Sequence, residues 1–406
     1  MIPIAPIFAL LAGNVLLVLG TGLQSVLLPV RAHLEGFSAQ TLGLMGAGYY
    51  GGFLFGCLAA PWLVRRAGHS RAFAALAVIA AQTFPLHAAL PEAAAWIALR
   101  AVGGFCFAGL SMIVESWVNE KCANGNRGRI LALYMVLTSL ASAGGQGMLT
   151  LSDPKGMLPF AAVSLLISLS LVPLMLSKAP APAPLRRARL ALGRLYRTSP
   201  VALIGCLLVG AANGAFWSLA PVAVQSQGGS AGDAASFAAA AVLGGALLQA
   251  PVGRLSDRVD RRLLMIFACL GATGTGLVLG LWPLPSGWPR LGVAAVFGAF
   301  AFQLYALAVA HANDHAPPGG FIETSGGLLL TFGIGAVAGP LAASALMTRH
   351  GPATLFLFIS AVHLALAGFI AYRMSRRNAA LTESPERSRA DGRSAPGRWR
   401  LRWAVR

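Results

Sequence analysis

Apolar residues fall in long blocks separated by short polar breaks, at the spacing that a set of membrane-crossing helices would produce. About 20 apolar residues, rising roughly 1.5 Å each, cross the hydrocarbon layer. By that ruler the blocks at 5–29, 41–64, 72–90, 94–117, 130–151, 157–177, 199–224, 235–252, 263–283, 291–311, 323–347 and 353–373 each predict a transmembrane helix. They are continuously apolar and lack the in-out alternation of a lipid-facing strand, so helices are expected and a strand barrel is not. The expected fold class is an all-α integral membrane protein with twelve transmembrane helices.

Composition removes the main competing class. With 56% of residues hydrophobic and only 11% charged, and a mean hydropathy of +0.69, a soluble globular protein is excluded. Orientation follows from Lys and Arg in short loops. With a cytoplasmic N-terminus, that side collects Arg65, Arg66, Arg71, Lys121, Arg127, Arg129, the basic residues from Lys178 to Arg197, those from Arg254 to Arg262 and those from Arg373 onward. The opposite face holds only Arg31, Lys155, Arg290 and Arg349, with Arg100 left inside the membrane. A multi-pass protein of the bacterial cytoplasmic (inner) membrane with both termini in the cytoplasm is therefore expected.

The net charge of +18 fits an anionic inner leaflet better than nucleic acid, because it is spread over loops on one side and no nucleic-acid module accompanies it. Residues 1–30 lack a basic n-region and run too long for an h-region, so a cleaved signal peptide is not expected. Cys57, Cys106, Cys122, Cys206 and Cys269 are scattered and suggest neither a disulfide framework nor a metal site. No cofactor is expected.

Two basic junctions sit at matching places in the chain, Pro61-Trp-Leu-Val-Arg65-Arg66-Ala-Gly68-His-Ser-Arg71 and Gly253-Arg-Leu-Ser-Asp257-Arg258-Val-Asp260-Arg261-Arg262. Each closes one apolar block and opens the next, which implies a doubled six-helix unit. The predicted domains are an N-terminal six-helix bundle (1–177), a cytoplasmic linker (178–198), a C-terminal six-helix bundle (199–375) and a basic disordered tail (376–406). Within the linker, Ala179–Pro184 should be extended. Leu185 to Arg197 mixes leucines and arginines as a helix lying on the inner leaflet would.

These features resemble the major facilitator superfamily over about residues 5–375. The loop after the second helix in that family has the form G-x-L-x-D-R-x-G-R-R. The first junction keeps Arg66 and Gly68 but has Pro61 and Arg65 where the first Gly and the Asp belong; the second keeps Gly253, Leu255, Asp257, Arg258, Arg261 and Arg262, with Asp260 in place of the second Gly. Arg100-Ala-Val-Gly-Gly104 is similar to an Arg-x-x-x-Gly element of proton-coupled members. Glu115-Ser-Trp-Val-Asn-Glu120 and Ala310-His-Ala-Asn-Asp314 resemble a bacterial branch near the drug efflux carriers. The resemblance implies two pseudo-symmetric bundles around a central site.

A shift of 192 places Arg65 on Asp257 and Arg66 on Arg258, and a shift of 194 places Asn119-Glu120 on Asn313-Asp314, Arg129 on Glu323 and Gly145 on Gly339. Charge is thus inverted across the repeat. If the second helix meets the eleventh and the fifth the eighth, as the resemblance implies, Arg65 faces Glu323 and Arg129 faces Asp257, as two ion pairs of a cytoplasmic gate. Pairing within each half, or plain solvation, is the competing expectation. Gly48, Gly52 and Gly56 share one helix face, as do Gly335 and Gly339; sliding seams between halves and ordinary packing within one half both fit.

Ionisable residues inside the membrane are costly and default to functional candidates. Arg100 could bind an anionic solute group, pair with a proton-titrating acid, or snorkel outward as a structural cation. The first span offers Asn14 and Gln24 but no acid; Glu115, Asp314, Glu323, His311 and His315 remain as proton candidates. A solute cavity is expected from Asn14, Gln24, Tyr49, Tyr50, Arg100, Gln146, Asn213, Trp217, Gln303 and Tyr305, on helices that border the cavity in related carriers. No nucleophile elbow, phosphate loop or His-Glu-x-x-His element competes, so an enzyme is not expected. The expected function is a monomeric secondary transporter of a small organic solute by alternating access, with proton-coupled efflux as its finer form. The alternative is a non-transporting membrane sensor or scaffold on the same fold.

Overall fold

The computed structural model of the chain describes residues 4–121, 127–176, 192–316 and 321–382. The first half comprises α1 (Ile4–Leu34), α2 (Ala39–Ala67), α3 (His69–Ala89), α4 (Ala93–Lys121), α5 (Arg127–Gly147), a 3-10 turn at Met148–Leu151, and α6 (Leu158–Leu176). A short α7 (Leu192–Thr198) leads into α8 (Pro200–Ser226), α9 (Ala231–Ser256), α10 (Arg261–Leu281), α11 (Trp288–Ala301), α12 (Leu304–Asp314), α13 (Phe321–His350) and α14 (Thr354–Thr382). Among the described residues, twelve spans are long and apolar enough to cross a membrane.

Local chemistry explains several boundaries. Ser230 and Asp233 form a reciprocal capping box at the start of α9, and Pro200 opens α8 where its missing N–H leaves no bond unmade. Gly68 alone separates α2 from α3 at φ 79°, a left-handed turn that side chains disfavour. The tenth span is broken: α11 stops at Ala301 and α12 starts at Leu304, and Gln303 Nε2 donates to the carbonyl of Gly245 at 2.7 Å.

The duplication read from the sequence is built into the helix crossings. A side chain on Gly52 would collide with the Ala101 carbonyl, and one on Gly104 with the Tyr49 carbonyl; in the second half Gly244 meets Ala295 and Gly298 meets Ala241 in the same way. A second crossing repeats likewise, with Gly22 on Ser142 and Gly145 on Leu19 matched by Gly214 on Ala336 and Gly339 on Ala211. Every partner obeys the shift of 192 in the early helices and 194 in the later ones.

Of the two expectations for the glycine faces, packing within each half is the one these contacts match. Gly48, Gly52 and Gly56 abut α4, and Gly335 and Gly339 abut α8, each within its own half. A backbone can approach a carbonyl that closely only where no Cβ intervenes, so these positions are fixed packing. The halves instead meet where α2 crosses α13 and α5 crosses α9. Gly43 lies against Ser344, Gly46 against Ser218 and Pro340, and Gly333 against Leu54.

One core of buried residues runs through both halves, and a second occupies one end of the C-terminal half. Leu195 of α7 belongs to the second, with Val201, Leu264 and Leu328. The end of the linker therefore docks on protein where a leaflet-lying helix was expected. The rest of the linker, 178–191, lies outside the described residues, as does the tail from 383; α14 continues to Thr382, into the segment predicted as tail.

Candidate functional site

A cavity of about 610 Å³, open mouth included, lies between the halves. Six of the residues expected in a solute cavity line it: Gln24, Tyr49, Tyr50, Arg100, Gln146 and Trp217. They come from α1, α2, α4, α5 and α8, so both halves contribute walls. The hydroxyl residues Thr21, Ser25, Ser142 and Ser218 complete the lining. Sequence reading passed over these four because Ser and Thr in spans commonly bond back to their own helix. Thr21 does so to Val18 and Ser25 to Gly22. The usable signal was spacing: Thr21 with Ser25, and Ser142 with Gln146, stand four apart and so share a face.

Arg100 is the one charged side chain among the lining residues. Its guanidinium carbon sits 4.2 Å from the centroid of the Tyr49 ring, a cation–π contact. Among the described residues it makes no ion pair and no hydrogen bond. Tyr50 meets Tyr49 edge-on at 5.3 Å. On the far wall Trp217 stacks on Phe302 at 5.2 Å and 19°, and Phe302 packs against Phe216 and Phe297 behind it. Gln146 is buried and donates through Nε2 to Ser25 Oγ at 3.4 Å, while its Oε1 has no partner. Ser218 Oγ is likewise buried and unpartnered.

The other four expected residues lie elsewhere. Asn14 is buried and donates to Thr138 Oγ1 at 3.0 Å, joining α1 to α5. Gln303 supports the break in the tenth span, and Tyr305 packs edge-on against Phe332 at 4.9 Å. Asn213 is half-buried on α8 outside the lining. Polarity in a span is legible from sequence, but whether it is spent on a neighbouring helix is not.

The two ends of the cavity differ. Opposite the basic junctions the halves close on one another, with Gly43 packed on Ser344 and Gly232 facing Thr150. Nearer the basic end Gln249 Nε2 of α9 donates to Met135 Sδ of α5 at 2.9 Å. Beyond it Arg65 and Arg66 are exposed. Arg66 lies over the Trp62 ring at 5.7 Å.

Among the described residues, Arg65 and Glu323 do not pair with each other in this conformation. Arg261 binds Asp257 at 3.3 Å and Asp314 at 2.9 Å within the C-terminal half. Glu323 is 4.0 Å from Arg194 of α7. The side chain of Arg129 lies outside the described residues. Arg262 grips Asp260 through three side-chain contacts of 2.7 to 3.2 Å, and this hydrogen bonding holds the Asp260 carboxyl below the usual carboxylate range. Asp257, Asp260, Arg261, Arg262, His311, Asp314 and His315 line a separate recess at the basic end. Glu115 is exposed on α4 outside the central lining. Arg258 is exposed, and Gly253 has open space around it.

The family model described as Major Facilitator Superfamily matches residues 10–320 and 202–405. A relative from Escherichia fergusonii, described as the uncharacterized MFS-type transporter YcaD, is 26% identical over 385 residues, covering 94% of this chain and 97% of that one. Two structures of the nucleoside transporter NupG share the fold at TM-scores of 0.80 and 0.78, each 12% identical, covering 90% of this chain and 99% and 98% of theirs. The human organic anion transporter MFSD10 aligns at a TM-score of 0.62 and 18% identity, covering 90% of this chain and 99% of its own.

Proposed function

The chain belongs to the major facilitator superfamily, and from that premise we propose that it is a secondary transporter moving one small organic solute across the bacterial cytoplasmic membrane by alternating access. In this reading the basic end and both termini are cytoplasmic, one chain is the working unit, and Gln24, Tyr49, Tyr50, Arg100, Gln146 and Trp217 meet the solute. The observation that carries it is the polar cavity walled by both halves, with the halves packed on one another opposite the basic junctions. Rigid bundles that rock about a site between them expose it to one side at a time. Proteins that share the fold include a nucleoside transporter and an organic anion transporter, so the fold leaves solute identity to the lining residues.

In the proton-coupled form of this reading Glu115 is the titrating group. It is exposed and shares α4 with Arg100, whereas Asp314 is held by Arg261 and His311 is buried beside His315. Outward transport is the direction that the resemblance to the efflux branch supports. Arg65 with Glu323, and Arg129 with Asp257, belong to the proposal as pairs of the opposite, outward-facing state. Glu323 would then exchange Arg194 for Arg65 as the basic end closes. Transport lost in Arg65→Glu and restored in Arg65→Glu with Glu323→Arg is expected; a double variant no better than either single one removes the gate.

Alternating access itself is tested at Thr21. In a variant with its native cysteines replaced, Thr21→Cys should react with a membrane-impermeant thiol reagent in right-side-out and in inverted vesicles. Reaction from one side alone under all conditions would favour the sensor or scaffold reading.

A further inference from the structure

We propose that the central cavity is a site for a compact organic anion with a flat apolar body, a small aromatic carboxylate being its simplest form. The inference rests on the carrier reading for its biological use, but its binding chemistry stands on the cavity alone.

Charge comes first. A cation held inside a membrane protein is expensive and is normally met by a counter-charge, a carbonyl or water. Arg100 has none of the protein partners among the described residues, and no acid lines the cavity with it. Pairing with a proton-titrating acid, one of the three roles open to Arg100 from sequence, therefore has no candidate in the lining. Outward snorkelling does not fit either, because the guanidinium is laid over Tyr49 at the cavity wall. What remains is a cation presented to a ligand.

Geometry narrows the anion. Tyr49 contacts the guanidinium through its ring and takes none of its N–H groups in a hydrogen bond, and a guanidinium fork with free N–H groups matches a carboxylate with two parallel hydrogen bonds. The wall also carries three aromatic side chains among its hydroxyl and amide groups: Tyr49, Tyr50 and, from the other half, Trp217, whose indole is backed by Phe302. Aromatic faces favour a flat apolar body, through offset or edge contacts of about 0.5–1.5 kcal/mol each beyond burial. A bare inorganic anion would use Arg100 and leave the aromatic walls idle. A cation would face Arg100 with nothing to offset the repulsion.

Three probes of one shape isolate the charge: benzoate, benzyl alcohol and benzylammonium, measured by thermal shift and by equilibrium dialysis on the purified full chain in detergent. Acetate is the control for the flat body. Benzoate should bind at least about tenfold more tightly than any of the other three, the size expected of a charge-assisted pair. Arg100→Gln should abolish that preference, Arg100→Lys should keep part of it, and Trp217→Leu should weaken benzoate while leaving acetate unchanged. Because Arg100→Gln could fail to fold, the Lys and Trp217 variants carry the test independently. Equal binding of benzyl alcohol or benzylammonium, benzoate binding that survives a folded Arg100→Gln, or no benzoate binding at all overturns the anion site. Any of these leaves alternating access untouched. Failure of the Thr21→Cys test with benzoate binding intact would instead remove the carrier and keep the site.

Discussion

The crossing of α2 with α4 and that of α9 with α11 use equivalent glycines, Gly52 and Gly104 in one half and Gly244 and Gly298 in the other, whereas the basic junctions beside them are built from different chemistry. In the second half Arg261 ties Asp257 to Asp314. At the matching positions of the first half, the shift of 192 puts His69 in place of Arg261 and Arg65 in place of Asp257. His69 is buried against Trp117 at 5.9 Å, with Phe73 on the same indole at 6.3 Å. One junction is stapled by ions and the other by aromatic packing. Where two backbones touch, the only side chain that fits is none, so both halves need glycine. Where side chains meet at a wet membrane edge, several solutions of similar stability exist, and the two halves use different ones.

The largest effects should come from the shared feature. Gly52→Leu or Gly244→Leu must part helices whose backbones are in contact, and we expect a loss of about 3 kcal/mol or more, seen as little folded protein after detergent extraction. Gly51 and Gly253, with open space around them, should accept Ala with almost no change. If Gly52→Leu and Gly51→Ala behaved alike, close approach would not be what the repeat preserves.

Next come the junctions. Trp117 is buried, and Trp117→Ala should cost about 3 kcal/mol by the usual penalty for deleting a large core aromatic. Arg261→Ala leaves two carboxylates facing each other at a partly wet edge, so about 1 kcal/mol is expected. High salt should shrink the Arg261 effect and leave the Trp117 effect unchanged, since screening acts on charges and not on packing. Both are read as shifts in thermal unfolding. Arg65→Ala, exposed and without an ion pair among the described residues, should shift it little.

These contrasts also explain what could be read from the residues alone. Block length and hydropathy marked the twelve spans, because a bilayer imposes one length on every helix, and the repeat shift located equivalent glycines. It could not say which neighbour a glycine face meets, and Gly52 packs on α4 and not on α13. Nor could it foresee the break at Phe302 and Gln303, since Leu304 to Ala310 stays as apolar as the residues before it. In the cavity, Arg100, Tyr49 and Trp217 stood out because their types are unusual within apolar spans. Asn14 and Gln303 looked the same and are consumed by helix-helix hydrogen bonds. Only packing distinguishes a polar group spent on a neighbour from one turned to a cavity.

The smallest predicted effect separates the junctions by pH. Asp260, at the position matching Gly68, has its carboxyl held below the usual range, first by the Arg262 side-chain hydrogen bonds and also by the Arg262 backbone N–H. A depressed folded pKa stabilises the folded state fully above the unfolded value of about 3.9. That contribution is lost as pH falls through the lower folded value. Between about pH 5 and 8 this group should therefore add no pH dependence, and below about pH 4 the α9–α10 junction should loosen. The α2–α3 junction has Gly68 at that position and so no carboxylate there; its titratable group is His69, which the Asp260→Asn comparison leaves unchanged. Asp260 is over a third exposed, so solvent screening keeps its contribution under about 1 kcal/mol. Hydrogen exchange of the two junctions, compared between wild type and Asp260→Asn, reads the difference: wild type should lose protection at α9–α10 on acidification, and the variant should start near that level at pH 7. Equal acid sensitivity in wild type and variant would mean that the Asp260–Arg262 bond contributes nothing, leaving Arg261 alone to distinguish the ionic junction from the aromatic one.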